Sequence, residues 1–131
     1  MAHGTIHILP DLENSTTNVI TGSAAEILHA QDISDDTRRP ERGDMEFVID
    51  ITAYTSGTIV PTLVAADNAA LTTNAVVYLT GRSFTAVGTS IIHVPQDVID
   101  KDFVGILTTA VAHAATVTTR VQSSQMRQRG R

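Results

Sequence analysis

Alternation of apolar and polar residues is the strongest pattern in this chain, and it predicts β-strands. Within Met45–Ala53 every second residue is apolar, and Glu46, Asp50 and Thr52 fall between these positions together with Val48. Successive side chains of a strand point to opposite faces, so this spacing predicts a half-buried strand with one face in the core.

Other β-rich runs follow at regular intervals and are separated by turn-forming residues such as Gly57, Asp67-Asn68 and Gly81. Such spacing is typical of a β-sandwich or barrel with eight or nine strands. The stronger runs are Thr58–Ala66, Ala75–Thr80, Thr89–Val94, Asp102–Thr108 and Ala115–Val121, and the weaker ones near the N-terminus are Thr5–Leu9, Thr17–Thr21 and Glu26–His29.

Three positions complicate this pattern. Pro61 lies inside a strand run and lacks an N–H donor, which predicts that its strand is at a sheet edge or bulged there. The alanine-rich segment Gly105–Ala115 is compatible with a short helix, but its threonines favour strand, turn and strand. The segment Ser23–Ala30 also has helical propensity, over barely two turns, and tertiary packing would decide it.

Composition supports an all-β domain and limits the possible functions. The 131 residues are enough for one domain, and they include 19 Thr, 13 Val and 12 Ile, whose branched side chains favour pleated sheets. The absence of cysteine excludes disulfides, thiolate metal sites and a cysteine nucleophile. The opening residues do not resemble a signal peptide, and no apolar run is long enough for a membrane-spanning helix, so we expect no membrane partner.

Charge is distributed unevenly along the chain. The net charge of −5 combines a basic C-terminal end with an acidic remainder, since residues 1–119 hold 5 basic and 14 acidic residues, a balance of −9. An acidic body is poorly suited to nucleic acid, so we expect no nucleic-acid partner. We predict an N-terminal arm over residues 1–14, a β-sandwich domain over 15–122 and a flexible basic tail over 123–131.

Two charged segments are candidates for contact with a partner, and both also have a simple explanation. The segment Gln31–Asp44 has eight charged residues in fourteen, which suits either a solvated loop with internal ion pairs or a docking loop. The basic tail suits either a disordered end or an arm that binds an acidic neighbour. The candidate contact residues are Arg38, Arg39 and Arg42 in the loop and Arg127, Arg129 and Arg131 in the tail.

No motif for catalysis, cofactor binding or metal binding is found in the sequence. His3 and His7 have a helical metal-ligand spacing but lie in strand-like sequence, and the remaining histidines are scattered singly. Neither a phosphate-binding glycine loop nor a complete nucleophile elbow can be matched, and the paired acids at Asp35-Asp36 and Asp100–Asp102 lie in turn-like sequence. We therefore expect a protein that is not an enzyme and that has no cofactor.

Four stretches of the chain share a strand pattern and composition with a known family. They are Ser15–Ile27, Asp44–Gly57, Thr58–Leu71 and Ala115–Gln122, and they include a strand, turn and strand arrangement at Phe47–Tyr54 and Ala66–Asn68. In this pattern, most of residues 15–122 resembles the capsid cement, or decoration, proteins of tailed bacteriophages.

The resemblance implies a jelly-roll-like antiparallel β-sandwich of about eight strands that oligomerises on the outer surface of the virion capsid. The implied partners are the major capsid protein and the protein itself, as a dimer or trimer, and the implied function is to stabilise the capsid lattice. A carbohydrate-binding β-sandwich that attaches particles to host glycans is the alternative. A cupin-like or cation-dependent enzyme is a third, weaker hypothesis.

Overall fold

The computed structural model describes residues 15–33, 45–94 and 100–123, which contain eight strands and no helix. Both segments with a helical alternative therefore form strands and turns, and the described residues offer no helix that could cross a membrane. The strands are β1 (Ser15–Gly22), β2 (Ile27–Asp32), β3 (Met45–Gly57), β4 (Pro61–Ala66), β5 (Val76–Thr80), β6 (Gly88–His93), β7 (Phe103–Thr108) and β8 (His113–Ser123).

The strands form two antiparallel sheets of four. Sheet A has the order β1-β8-β3-β6 and sheet B the order β2-β7-β4-β5. Successive strands alternate between the sheets over much of the chain, as in the paired Greek keys of a jelly roll. The prediction of a jelly-roll-like antiparallel β-sandwich of about eight strands is confirmed.

The core lies between the two sheets and is mainly aliphatic. Phe47, Ile49 and Ile51 of β3 face Leu63 and Ile106 of sheet B, and all five side chains are buried. The predicted core face of β3 is confirmed from Met45 to Ile51, whereas Ala53, which follows a register shift in the pairing with β8, is exposed. On the opposite face, Glu46 and Val48 are also buried, so β3 is covered on both sides at its start and only its later part has a solvent face.

The edge position predicted for the strand with Pro61 is wrong. β4 lies between β7 and β5 in the interior of sheet B, and Pro61 is its first residue, opposite Thr108. A proline is tolerated at the first position of a strand because the ladder loses little there. The irregularity in the pairing of β4 with β5 lies further along, between Leu63 and Val64.

A second apolar cluster covers part of the outer face of sheet B. Leu71, from the loop between β4 and β5, packs there with Val64 and Ala66. Asn68 shapes this loop because its Oδ1 accepts hydrogen bonds from the backbone N–H groups of Thr72 and Thr73, at 2.9 and 3.0 Å. Leu71 itself has a φ of 57°, a left-handed conformation that is costly for leucine.

Candidate functional site

The outer face of sheet A carries polar side chains in register across all four strands, and we call this surface the polar face. One complete row crosses the sheet through Thr17, Thr118, Asp50 and Thr89. The hydroxyl oxygens of Thr17 and Thr118 are 2.9 Å apart, and the Thr89 hydroxyl donates to Asp50 Oδ1 at 3.0 Å. These bonds fix the side chains before any partner arrives, so the row is a preorganised polar surface.

A second row of the polar face is built around Glu46, whose side chain is fully buried. Gln122 Nε2 donates to its Oε2 at 2.7 Å, and His93 Nδ1 lies 3.3 Å from its Oε1. A buried carboxylate needs such partners, because its desolvation is costly. Glu46 therefore joins β8 and β6 to β3, while His93, with a side chain 65% exposed, presents its ring to solvent.

A third row lies between these two and contains the one basic residue of the polar face among the described residues. Arg120 is half-buried and stands opposite Ser15 and Val48, and Ile91 continues the row on β6. The half-buried or exposed groups of this face are the threonine hydroxyls, the Asp50 carboxylate, the Gln122 amide, the His93 ring and the Arg120 guanidinium, whereas Glu46 and Val48 are buried. Such a surface can form many hydrogen bonds with another macromolecule.

His29 belongs to the core. Its Nδ1 is 2.8 Å from the Thr16 hydroxyl, its Nε2 is 3.2 Å from Gln31 Oε1, and its ring meets Phe47 edge-on at 5.9 Å. Because Gln31 Oε1 can only accept, Nε2 carries the proton and Nδ1 accepts from Thr16. Burial lowers the pKa of His29 below 6.5, and the hydrogen bond to Gln31 opposes this only in part.

His113 has a similar structural role at one end of the sandwich. Its buried ring donates from Nε2 to Glu26 Oε2 at 2.8 Å, while Nδ1 is buried without a hydrogen-bond partner. The second buried polar atom without a partner in the described residues is the Thr119 hydroxyl, inside the sandwich. Neither atom lies on the polar face.

The residues available to a metal ion do not cluster in the described ranges, where no group of three or more histidines, aspartates or glutamates comes together. Asp100 and Asp102 are exposed, as the turn-like sequence predicts. His3, His7 and the Asp35-Asp36 pair lie outside the described residues.

All six predicted contact arginines also lie outside the described residues. These are Arg38, Arg39 and Arg42 of the charged loop and Arg127, Arg129 and Arg131 of the tail. The two segments adjoin described residues, since the loop precedes Met45 of β3 and the tail follows Ser123 of β8. These two residues are paired across sheet A, beside Glu46 and Gln122.

A second surface was missed by the sequence reasoning, and it is apolar. Val76, Val77 and Leu79 of β5 are 40, 60 and 46% exposed, and β5 is an edge strand of sheet B. The sequence signal for this surface is the run of four apolar residues at positions 76–79, which makes both faces of the strand apolar. However, such a run is more typical of a strand that is buried on both faces, so it does not by itself predict an exposed edge.

Comparison with known proteins assigns no family to this chain. No protein-family model and no curated protein matches this chain. A solved structure of a Bacillus endospore appendage, from a novel family of disulfide-linked pili, is similar with a TM-score of 0.45 and 15% sequence identity. The match covers 84% of this chain and 85% of that one. The present chain contains no cysteine.

Proposed function

We propose that this chain is a structural protein that decorates the outer surface of a phage capsid and stabilises the lattice of the major capsid protein. The observation that carries the proposal is the polar face, where the row of Thr17, Thr118, Asp50 and Thr89 crosses all four strands and is already held by hydrogen bonds. Jelly rolls are found in viral capsid proteins, lectins and enzymes alike, so the fold alone does not decide between these functions.

Rigid strand positions suit a partner that is itself a regular protein surface. Thr17, Thr118, Asp50 and Thr89 need no reordering when a partner binds, so little conformational entropy is lost at this surface. Several weak contacts then combine when the decorating protein binds equivalent capsid subunits at the same time. The lattice is stabilised by mass action because the protein binds only the assembled form.

The arginines of the charged loop and of the tail would supplement this contact. Both segments adjoin the Met45–Ser123 pair, at the end of sheet A that holds Glu46 and Gln122. Guanidinium groups bind carboxylates through paired hydrogen bonds, so Arg127, Arg129 and Arg131 are suited to an acidic patch on a capsid subunit.

Carbohydrate binding is the second candidate function, and the same face supports it. The hydroxyls of Thr17 and Thr118, the Asp50 carboxylate and the Arg120 guanidinium are groups that can hydrogen-bond sugar hydroxyls. No phenylalanine or tyrosine lies on the polar face among the described residues, so a stacking platform is missing there. A protein partner therefore fits this face better.

The test uses particles of the phage that encodes the chain, prepared with and without this protein. Particles that lack it should assemble but release their DNA at a lower temperature. Adding back the purified protein should restore the melting profile, and the variant Thr118→Lys should restore it less well, because it places a long cation in the row of Thr17, Asp50 and Thr89. Thr73→Lys, at an exposed position in the loop between β4 and β5, is the matched control and should behave like the unaltered protein.

Equal melting profiles with and without the protein would refute the decoration hypothesis. Equal recovery by Thr118→Lys and Thr73→Lys would leave decoration possible and refute the polar face as its docking surface. Binding of the purified protein to a glycan array, lost in Thr118→Lys and kept in Thr73→Lys, would favour the carbohydrate hypothesis instead.

A further inference from the structure

β5 is the least protected strand edge of the sandwich. Three of its five residues, Val76, Val77 and Leu79, are large apolar side chains with substantial exposure. Each of the other edge strands β1, β2 and β6 has one such residue, namely Val19, Ile27 and Ile91. Exposed sheet edges are usually protected by charged residues or proline, and β5 contains neither.

The core face of sheet B ends at β5 in side chains that are exposed to solvent. Val76 and Leu79 pair with Ala65 and Leu63 of β4, which are completely buried in the core. Side chains that share a face with core residues are normally covered, yet these two are 40 and 46% exposed. Tyr78 packs against the main core and anchors the strand, so this edge is held in place.

We propose that β5 pairs antiparallel with β5 of a second copy of this chain, forming a two-fold dimer with a continuous eight-stranded sheet. A closed pair with a two-fold axis needs a surface that is complementary to itself. An uncharged apolar strand meets this condition, since its own copy covers Val76, Val77 and Leu79 without burying a charge. The edge strands β1 and β6 contain more polar residues than β5, so they would bury its apolar side chains less completely.

The charges that flank β5 support an antiparallel arrangement. With Tyr78 on the two-fold axis, Val76 lies opposite Thr80 of the partner subunit, and Asn74 lies opposite its Arg82. Asn74 donates to Asp67 Oδ2 at 2.7 Å, so a carboxylate lies at one end of the strand. The Arg82 guanidinium at the other end stacks on Phe84 at 4.5 Å. Each end of the paired strands would therefore bring an exposed cation close to an exposed anion.

The size of the contact predicts a weak dimer. A five-residue strand is about 17 Å long, and the paired edges would cover less than the roughly 800 Å² per partner of a standard stable interface. We therefore expect a concentration-dependent equilibrium between monomer and dimer in the micromolar range. This inference concerns the free protein and does not depend on the proposed function, although a dimer would present two polar faces to a lattice.

The experiment is sedimentation velocity of the full chain over a concentration series that extends to several hundred micromolar. The unaltered protein should shift from monomer to dimer. Val77→Lys should weaken dimerisation by at least tenfold, because each lysine would lie opposite Leu79 of the partner subunit and diagonal to the second lysine, so the dimer would bury two like charges at an apolar contact. Val19→Lys is the matched control, since it makes the same change at a 75% exposed valine on another edge strand, and it should leave the equilibrium unchanged.

The flanking charges give an independent readout. Arg82→Glu should weaken the dimer, because it brings two carboxylates together at each end, and combining it with Asp67→Lys should restore part of the loss. If Val77→Lys does not fold, as judged by far-ultraviolet circular dichroism, Val77→Thr provides a milder change that should act in the same direction.

The proposal would be overturned by a strict monomer across the whole series or by a trimer. It would also be overturned if Val19→Lys weakened the dimer as much as Val77→Lys, since the contact would then lie elsewhere. These measurements need no capsid. If the protein is a monomer but still raises the melting temperature of the particles, only the dimer proposal is rejected. If it is a dimer but does not raise that temperature, only the decoration hypothesis is rejected.

Discussion

Truncating Leu71 to alanine removes the side chain that holds the loop between β4 and β5 on sheet B. Leu71 is 2% exposed and packs with Val64, Ala66 and the half-buried Phe103 and Leu107. Replacing a buried leucine with alanine costs about 2–5 kcal/mol, and the lower values apply where the site can collapse. Because this cluster is small and lies under a surface loop, we expect a loss of about 2–3 kcal/mol in the free energy of unfolding.

The backbone conformation of Leu71 makes a second substitution informative. Its φ of 57° is left-handed, which costs roughly 1–2 kcal/mol for a residue with a Cβ and nothing for glycine. Leu71→Gly removes the same packing as Leu71→Ala but relieves this strain, while its extra freedom in the unfolded chain costs about 0.4–1 kcal/mol. The glycine variant should therefore be as stable as the alanine variant, or more stable by up to about 1.6 kcal/mol.

The assay is urea unfolding at equilibrium, at protein concentrations low enough to keep the chain monomeric, with the midpoint and slope fitted for each variant. Leu79 provides the matched control because it is exposed and lies in β5 without a positive φ, where glycine should be less stable than alanine by about 0.5–1 kcal/mol. A glycine variant at Leu71 that is clearly less stable than its alanine counterpart would refute the strain argument. A loss below about 1 kcal/mol for Leu71→Ala would refute the packing argument.

Three further predictions concern the core, a close strand contact and the tail. His29 has a pKa below 6.5 in the folded protein, so the unfolded chain takes up its proton first as the pH falls. The contribution of His29 to stability should therefore be complete above pH 6.5 and decrease below it. Urea midpoints measured against pH should fall less steeply for His29→Gln than for the unaltered protein. Gly105→Ala should lower the free energy of unfolding in urea by about 1–3 kcal/mol, because an added Cβ would overlap the His29 carbonyl oxygen and lie 2.8 Å from Leu71 Cδ1. An unchanged urea midpoint would contradict this close approach. A chain that ends at Ser123 keeps β8 but lacks Arg127, Arg129 and Arg131. At about 0.2–1 kcal/mol for each exposed ion pair, its affinity for capsids should fall by about 3- to 150-fold, with a flatter salt dependence. Equal occupancy of the two chains at two salt concentrations would show that the tail has no role in docking.

The local pattern of this sequence determined its strands. A period of two residues predicts a strand without any knowledge of its neighbours, so β3 and β8 were predicted within a few residues of their observed bounds. The threonines of the polar face were likewise predicted to lie on strands. In contrast, the period alone did not reveal that Glu46 and Val48 would be buried on the outer side of β3.

Only the tertiary structure decided which strands are neighbours and which are edges. Thr17 and Thr118 are 101 residues apart in the chain, yet their hydroxyls hydrogen-bond because β1 pairs with β8. Pro61 suggested an edge strand and lies in a central one, whereas the run Ala75–Thr80 predicted a strand without indicating that it forms an edge. Sheet order depends on long-range pairing and on the burial of whole faces, and neither is encoded within the few residues that specify a strand.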